Sequence, residues 1–200
     1  KKQSGGRGQF GDCWIRLAPK PRGAGYEFIN SIKGGVIPTK FIPSVDRGIQ
    51  EASAKGAIAG YRLVDFSAEC YFGSYHAVDS SDIAFKLAGS VALRTVAEKC
   101  KPVLLEPVLE LAVTTPDEYL GDIMGDLTSR RGKVQGMDPA EGRTTVRALV
   151  PESELYKYAA TLRSMTQGRA SHSRKLAGYE PAPPEIAKKV AAERAEEEAH

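Results

Sequence analysis

The run FGSYHAVDSSD, residues 72 to 82, sets a hydroxyl, an imidazole and a carboxylate close together in Ser74, His76 and Asp79. Those are the groups of a hydrolytic relay, in which an acid orients a histidine that takes a proton from a nucleophile. The spacing speaks against that chemistry. Relays are assembled from distant segments, and one tight loop does not line up three side chains this near in sequence. Recognition is the other chemistry open to the loop: the rings of Tyr75 and His76 can stack on unpaired RNA bases or hydrogen-bond to them. A second run, GGRGQFG at 5 to 11, suits the same task. Its glycines permit close approach to sugar and phosphate, and Arg7 can pair with a phosphate.

Other site chemistries lack their residues. No G-x-x-x-x-G-K-[ST] phosphate loop occurs, and GGRGQFG has neither the spacing nor the strand-before, helix-after setting of a dinucleotide site. None of the histidines, His76, His172 and His200, stands at ligand spacing from a second strong metal ligand. Cys13, Cys70 and Cys100 are odd in number and form no CxxC pair, which points to reduced thiols of the cytosolic kind. No apolar run approaches the about 20 residues of a membrane helix, and the polar, basic start is not a signal peptide. The chain does not begin with Met, so a fragment or a processed form is expected. Its 200 residues, 42% hydrophobic and 26% charged, suffice for one or two packed domains. The net charge is only +3, yet residues 1–60 hold ten lysines and arginines against four acids. That excess is a mild pointer to a phosphate-rich partner.

The elements that must hold the two loops follow from periodicity. Strands are expected at 10–17, 26–32 and 61–72. A helix is expected over 38–56, with Phe41, Val45, Ile49 and Ala52 inward and Gly56 as its stop. A second helix over 80–99 is expected to be capped by Asp79 or Ser80 and to bury a stripe of Ile83, Leu87, Val91 and Val96. The proline-bearing run CKPVLLEPV reads as a boundary. Beyond it come a strand at 106–114, a helix at 115–132, strands at 133–138 and 143–151, a helix at 152–168 and a polar final strand at 169–181. The first of these helices is read with Thr115, Pro116 and Glu118 as a capping box and Leu120, Ile123, Met124 and Leu127 inward. The second is read with Leu155, Tyr158, Ala159 and Leu162 inward. That order is the βαββαβ of a ferredoxin-like domain. An alanine-rich helix, docked by Ile186 and Val190, closes the chain.

The runs KKQSGGRGQFG, GGVIPTKFIPSVDRGIQEA, GSYHAVDSSDIAFKLAGSVAL, LLEPVLELAVTTPDEYLGDIMGDLTSRRGKVQGM and ALVPESELYKYAATLRSMTQGRA resemble, in register from about residue 1 to 170, the last two domains of bacterial elongation factor G. The resemblance implies an α+β chain. A ribosomal protein S5 domain 2-like domain at 1–100, its first strand missing, precedes a ferredoxin-like domain at 101–180 and a helical tail at 181–200. It implies that this piece is not itself an enzyme. GTP and Mg would be bound by an N-terminal domain of the parent GTPase. The parent would be a monomeric cytoplasmic factor that promotes tRNA–mRNA translocation on the ribosome. By the same resemblance Gly5, Gly6, Arg7, Gly8 and Gln9, with Ser74, Tyr75, His76, Ala77, Val78 and Asp79, form the tip that meets the small-subunit decoding region, tRNA and mRNA. Arg130 and Arg131 are placed against large-subunit rRNA. The sequence departs from the family pattern at Asp12 and Cys13, and again at Ala170, Ser173 and Arg174, where the departures make the last strand an expected edge strand or a less tightly packed one. They also hold open an alternative, a divergent paralogue acting in ribosome recycling or regulation.

Overall fold

The computed structural model describes residues 8–56 and 59–198. Two units are formed, Lys1–Pro102 with Glu185–His200, and Val103–Pro184.

In the first unit β1 (Asp12–Pro19), β2 (Tyr26–Asn30) and β3 (Phe66–Ser74) make a sheet of order β1-β3-β2. β1 runs antiparallel and β2 parallel to β3. Parallel neighbours need a crossover, and α1 (Ile42–Lys55) supplies it before α2 (Asp82–Lys99) follows β3. Strand alternation turns Cys13, Ile15 and Leu17 with Phe66, Ala68 and Cys70 toward the helices, where Val45, Ile49, Phe85 and Leu93 complete the core. A sheet with two helices on one face is the S5 domain 2-like architecture expected. α1 buries its predicted stripe, and Gly56 ends it at φ 66.

α2 does not bury the stripe expected of it. Ile83, Leu87 and Val91 are 71%, 57% and 51% exposed, and the inward residues are Ala84, Phe85, Gly89, Leu93 and Ala97. The cause is the approach of α1. A Cβ on Gly48 would lie 1.9 Å from the Lys86 carbonyl oxygen, and one on Gly89 2.4 Å from that of Val45. Helices this close meet through their small residues, so the bulky stripe turns outward. The cap also differs: Ser81, not Asp79 or Ser80, accepts from the Ala84 amide at 3.2 Å.

β3 starts later than predicted because Asp65 adopts φ 58 and turns the chain into it. The Asp65 carboxylate accepts from the Gly25 amide at 3.0 Å and from Arg22 at 3.3 Å. The Gly25 amide first, helped by the Arg22 guanidinium, lowers its pKa. A depressed folded-state pKa gives stability that is present above the unfolded carboxylate range and disappears as pH falls through the folded value. Asp65→Asn should therefore destabilise the first unit at neutral pH, with the difference from wild type vanishing in acid. Urea titrations at several pH values check this.

The second unit comprises β4 (Leu105–Pro116), α3 (Leu120–Ser129), β5 (Lys133–Ala140), β6 (Arg143–Pro151), α4 (Tyr158–Met165) and β7 (Ser171–Pro181). Its sheet has the order β5-β6-β4-β7, each neighbour antiparallel, so the βαββαβ reading holds. Leu111, Val113, Val146, Ala148 and Val150 pack under Ile123, Leu127, Tyr158 and Leu162. The capping box does not form. Thr115 closes β4 and its hydroxyl donates to the Pro116 carbonyl, while a 3-10 turn, Asp117–Tyr119, leads into α3. α3 ends with Arg131 at φ 59. A Cβ on Gly132 would come within 2.6 Å of the Leu127 carbonyl oxygen, so the expected glycine stop acts by closeness. The next helix is broken. Glu152–Leu155 is a 3-10 turn, Lys157 takes φ 55, and α4 starts at Tyr158 with Ala159 outward. β7 is an edge strand and largely exposed, as its polar sequence predicted. α5 (Pro184–Glu198) groups with the first unit, with Ile186 and Val190 half-buried and the Arg194 guanidinium 5.2 Å from the centre of the Tyr61 ring.

Candidate functional site

β1 begins where β3 ends. Asp12 pairs with Ser74, so the chain entering β1 and the loop leaving β3 emerge side by side. They are tied along their length. The Ser74 hydroxyl donates to Asp12 at 2.7 Å. The Phe10 amide donates to the Asp79 carbonyl at 2.9 Å, and the Gly8 amide to the Asp79 carboxylate at 3.1 Å. Ser80, buried, links both sides: its hydroxyl donates to the Phe10 carbonyl at 3.0 Å and accepts from the His76 amide at 2.9 Å. A Cβ at Gly8 would sit 2.9 Å from the Asp79 carboxyl carbon, so a larger residue there would have to push that side chain aside.

His76 closes the loop on itself. Its Nδ1 accepts from the amides of Val78 at 3.3 Å and Asp79 at 3.2 Å. With Nδ1 turned to these two amides, the ring nitrogen left to donate to a partner is Nε2. The Asp79 carboxylate also lies 3.4 Å from Nδ1 and helps to steady the loop. The ring is tilted against Phe10 with centroids 6.3 Å apart. The His76 side chain is 55% exposed, and Tyr75 and Val78 stand exposed beside it. The result is a short stiff projection bearing an N–H donor and aromatic faces.

Of the residues expected at the site, Gly5, Gly6 and Arg7 lie outside the described residues. Gly8 and Gln9 line the entering strand, and Ser74, Tyr75, His76, Ala77, Val78 and Asp79 form the loop opposite. Arg130 and Arg131 belong to the second unit and are engaged within it. Arg130 binds Asp126 at 2.9 Å and the Glu154 carbonyl, and lies over the Tyr158 ring. Arg131 pairs with Glu106 and Glu154. Sequence reasoning missed Phe10 and Ser80, the two residues that zip the projection. A buried loop serine carries no sequence mark of its own. The thiols do not join the site: burial, with Cys70 and Asp12 nearby, pushes Cys13 up to about 12, and burial pushes Cys70 up to about 11. Both are core fillers. Among the described residues no cluster of histidine, cysteine and carboxylates could hold a metal, and no helix is long and apolar enough to cross a membrane.

Family models place the two units. Residues 1–101 match elongation factor G, domain IV, and residues 103–190 match the elongation factor G C-terminus. The chain belongs to the elongation factor G family. It is similar to elongation factor G of Aquifex pyrophilus, 52% identical over 193 residues, which are 96% of this chain and 28% of that relative. A solved crystal structure from Thermus thermophilus resembles it with a TM-score of 0.83 and 42% identity, over 98% of this chain and 29% of that one. The chain thus spans less than a third of the length of the relatives it matches. The elongation factor G domain IV match contains the whole projection built around His76.

Proposed function

We propose that this chain is the ribosome- and RNA-contacting C-terminal part of a translational GTPase that promotes tRNA–mRNA translocation. The observation that carries the reading is the projection itself. Its backbone is tied at Phe10, Asp79 and Ser80, and it presents the exposed imidazole of His76, whose N–H suits a base edge or a sugar hydroxyl. Such a finger acts by position: it occupies the space a tRNA leaves and opposes its return. No bond is made or broken in this piece, and GTP with Mg belongs to the parent's N-terminal domain.

The domain assignment, 1–100, 101–180 and a tail at 181–200, is part of the same proposal. β1 is an edge strand, and α2, which packs over it, exposes Ile83, Leu87 and Val91. Both features support the reading that the domain's first strand lies outside this chain. The first domain then meets the decoding region, tRNA and mRNA, and the second meets large-subunit rRNA, where Arg130 and Arg131 act by bracing α3. The parent is read as a monomeric, cytoplasmic factor.

The test is single-round translocation by the full-length parent carrying His76→Ala. Losing one hydrogen bond to RNA, about 1.4 kcal/mol, slows movement about tenfold, with ribosome binding retained. A variant as fast as wild type removes His76 from the mechanism. A wild-type parent that splits ribosomes with a recycling factor but does not translocate replaces this reading with the recycling paralogue.

A further inference from the structure

A third connection reaches the end of the sheet that bears His76. β2 runs parallel to β3 and ends with Asn30 opposite Cys70, four residues before β3 ends at Ser74, so both strands head toward that end. The Ser31 amide donates to the Cys70 carbonyl at 2.9 Å, and the chain then turns through residues 32–38 toward α1. Ile37 anchors the turn. It is 1% exposed and lies so close to Gly73 that a Cβ on that glycine would be 2.6 Å from the Ile37 Cδ1. The connection is therefore seated against the last stretch of chain before Ser74 and the His76 loop. Gly34 and Gly35 take φ 65 and 66, with nothing within 4 Å of a Cβ at either position, so this backbone is bare toward solvent.

Lys33 and Lys40 flank that bare backbone and are exposed. Among the described residues neither ammonium has a carboxylate partner; Lys40 rests over the Phe41 ring at 4.8 Å. The carboxylates of this end are engaged by neighbours: Asp12 by the Ser74 hydroxyl, Asp79 by the Gly8 amide, and Asp82 by the Ser44 hydroxyl at 2.7 Å. No large apolar side chain of the connection is exposed, so it lacks the anchor a protein interface is built around. Two outward ammoniums beside an open glycine turn suit a polyphosphate backbone instead, which is reached by charge and close approach without a base code.

We infer that the connection from Ser31 to Lys40 is a third RNA-contacting element of the projection, in which Lys33 and Lys40 each pair with a backbone phosphate of the RNA that the His76 loop meets. This rests on the reading of the projection as an RNA contact. The three connections divide the work: the His76 loop presents a directional donor, and the lysine connection holds the register of the strand beside it.

The experiment measures the affinity of the full-length parent for tRNA-loaded ribosomes across a range of KCl concentrations, alongside single-round translocation. Each phosphate contact contributes about 0.7 to 0.9 to the slope of log affinity against log salt. Lys33→Ala and Lys40→Ala should each lower that slope by nearly one and the double variant by nearly two, while Lys33→Arg and Lys40→Arg keep it. An unchanged slope and affinity in the double variant overturns the inference, and a lower affinity at unchanged slope overturns it in favour of a protein contact. His76→Ala separates the two readings: it slows movement with little change in slope, because the ring is read as meeting a base edge or a sugar hydroxyl and not a phosphate. If the lysine variants are silent and His76→Ala is slow, only the third element is lost. If His76→Ala is silent, the reading of the projection is lost whatever the lysines do.

Discussion

Gly48→Ala is expected to lower the stability of the first unit by about 2 kcal/mol. The added methyl carbon would stand 1.9 Å from the Lys86 carbonyl oxygen and 2.8 Å from its carbon. Both atoms are α2 backbone, so no rotamer change relieves the clash. α1 and α2 must part by more than about 1 Å to restore ordinary contact. Val45, Ile49 and Phe85, all fully buried, then lose the close packing on which their contribution depends. Overpacking of this kind costs typically 1–3 kcal/mol, and the gain in helix propensity from glycine to alanine, about 1 kcal/mol, offsets only part of the helix separation. Gly121 and Gly125 are the controls. They lie in α3 with nothing within 4 Å of a Cβ, so alanine there should stabilise by up to about 1 kcal/mol. Urea unfolding reads the first unit through Trp14, the one tryptophan of the chain, which sits in β1. A Gly48→Ala midpoint equal to wild type would show that the two helices do not meet as described.

The same helix pair explains what the sequence could and could not display. α1 was legible because its inward residues are large and spaced at a helical period. α2 was not, because its inward face is Ala84, Gly89 and Ala97 between Phe85 and Leu93, while its bulkiest period faces out. Hydrophobic periodicity weighs bulk, and where backbones nearly touch, bulk is excluded from the contact. The capping box at Thr115 failed for a related reason. The pattern was present, but tertiary structure used Thr115 to finish β4, and Asp117 accepts instead from the Thr144 hydroxyl at 2.7 Å. β7 was the opposite case: Ser171, Ser173, Arg174 and Lys175 announced an exposed edge, and an edge is where the strand lies.

At the site the visible part was composition. A histidine and a tyrosine in a loop, and a glycine-rich run elsewhere, marked two of the three connections. That they emerge from one end of one sheet depends on the pairing of Asp12 with Ser74, and the third connection on that of Asn30 with Cys70. Pairing register across that much chain is a tertiary fact that no local window contains. Arg130 and Arg131 show what adjacency in sequence leaves out. Adjacent arginines at a helix end look like a free cationic patch, yet Asp126, Glu106 and Glu154 come from both near and far in the chain to hold them.

Ser80→Ala is expected to cost more than the loss of any ring at the tip, in stability and in movement together. The Ser80 hydroxyl is buried and satisfies two backbone groups from two different segments, the Phe10 carbonyl and the His76 amide. Alanine leaves both without that partner, at about 1–3 kcal/mol for each unpaired group. The larger consequence is geometric. With that link cut, the Phe10–Asp79, Gly8–Asp79 and Ser74–Asp12 bonds still join the two segments, but the His76 amide loses its tie to the entering strand through the Ser80 hydroxyl. A finger that acts by occupying space fails when it bends, so translocation should fall further in Ser80→Ala than in His76→Ala, although no group that faces the RNA has been removed. Ser80→Thr, which keeps the hydroxyl, should recover a large part of the rate. Amide hydrogen exchange across 8–12 and 74–80 provides the independent reading: protection at Phe10 and His76 should drop in Ser80→Ala and stay in His76→Ala. If exchange rises but movement does not slow, stiffness is not what the projection supplies, and the contacts made by its outermost side chains must account for the whole effect.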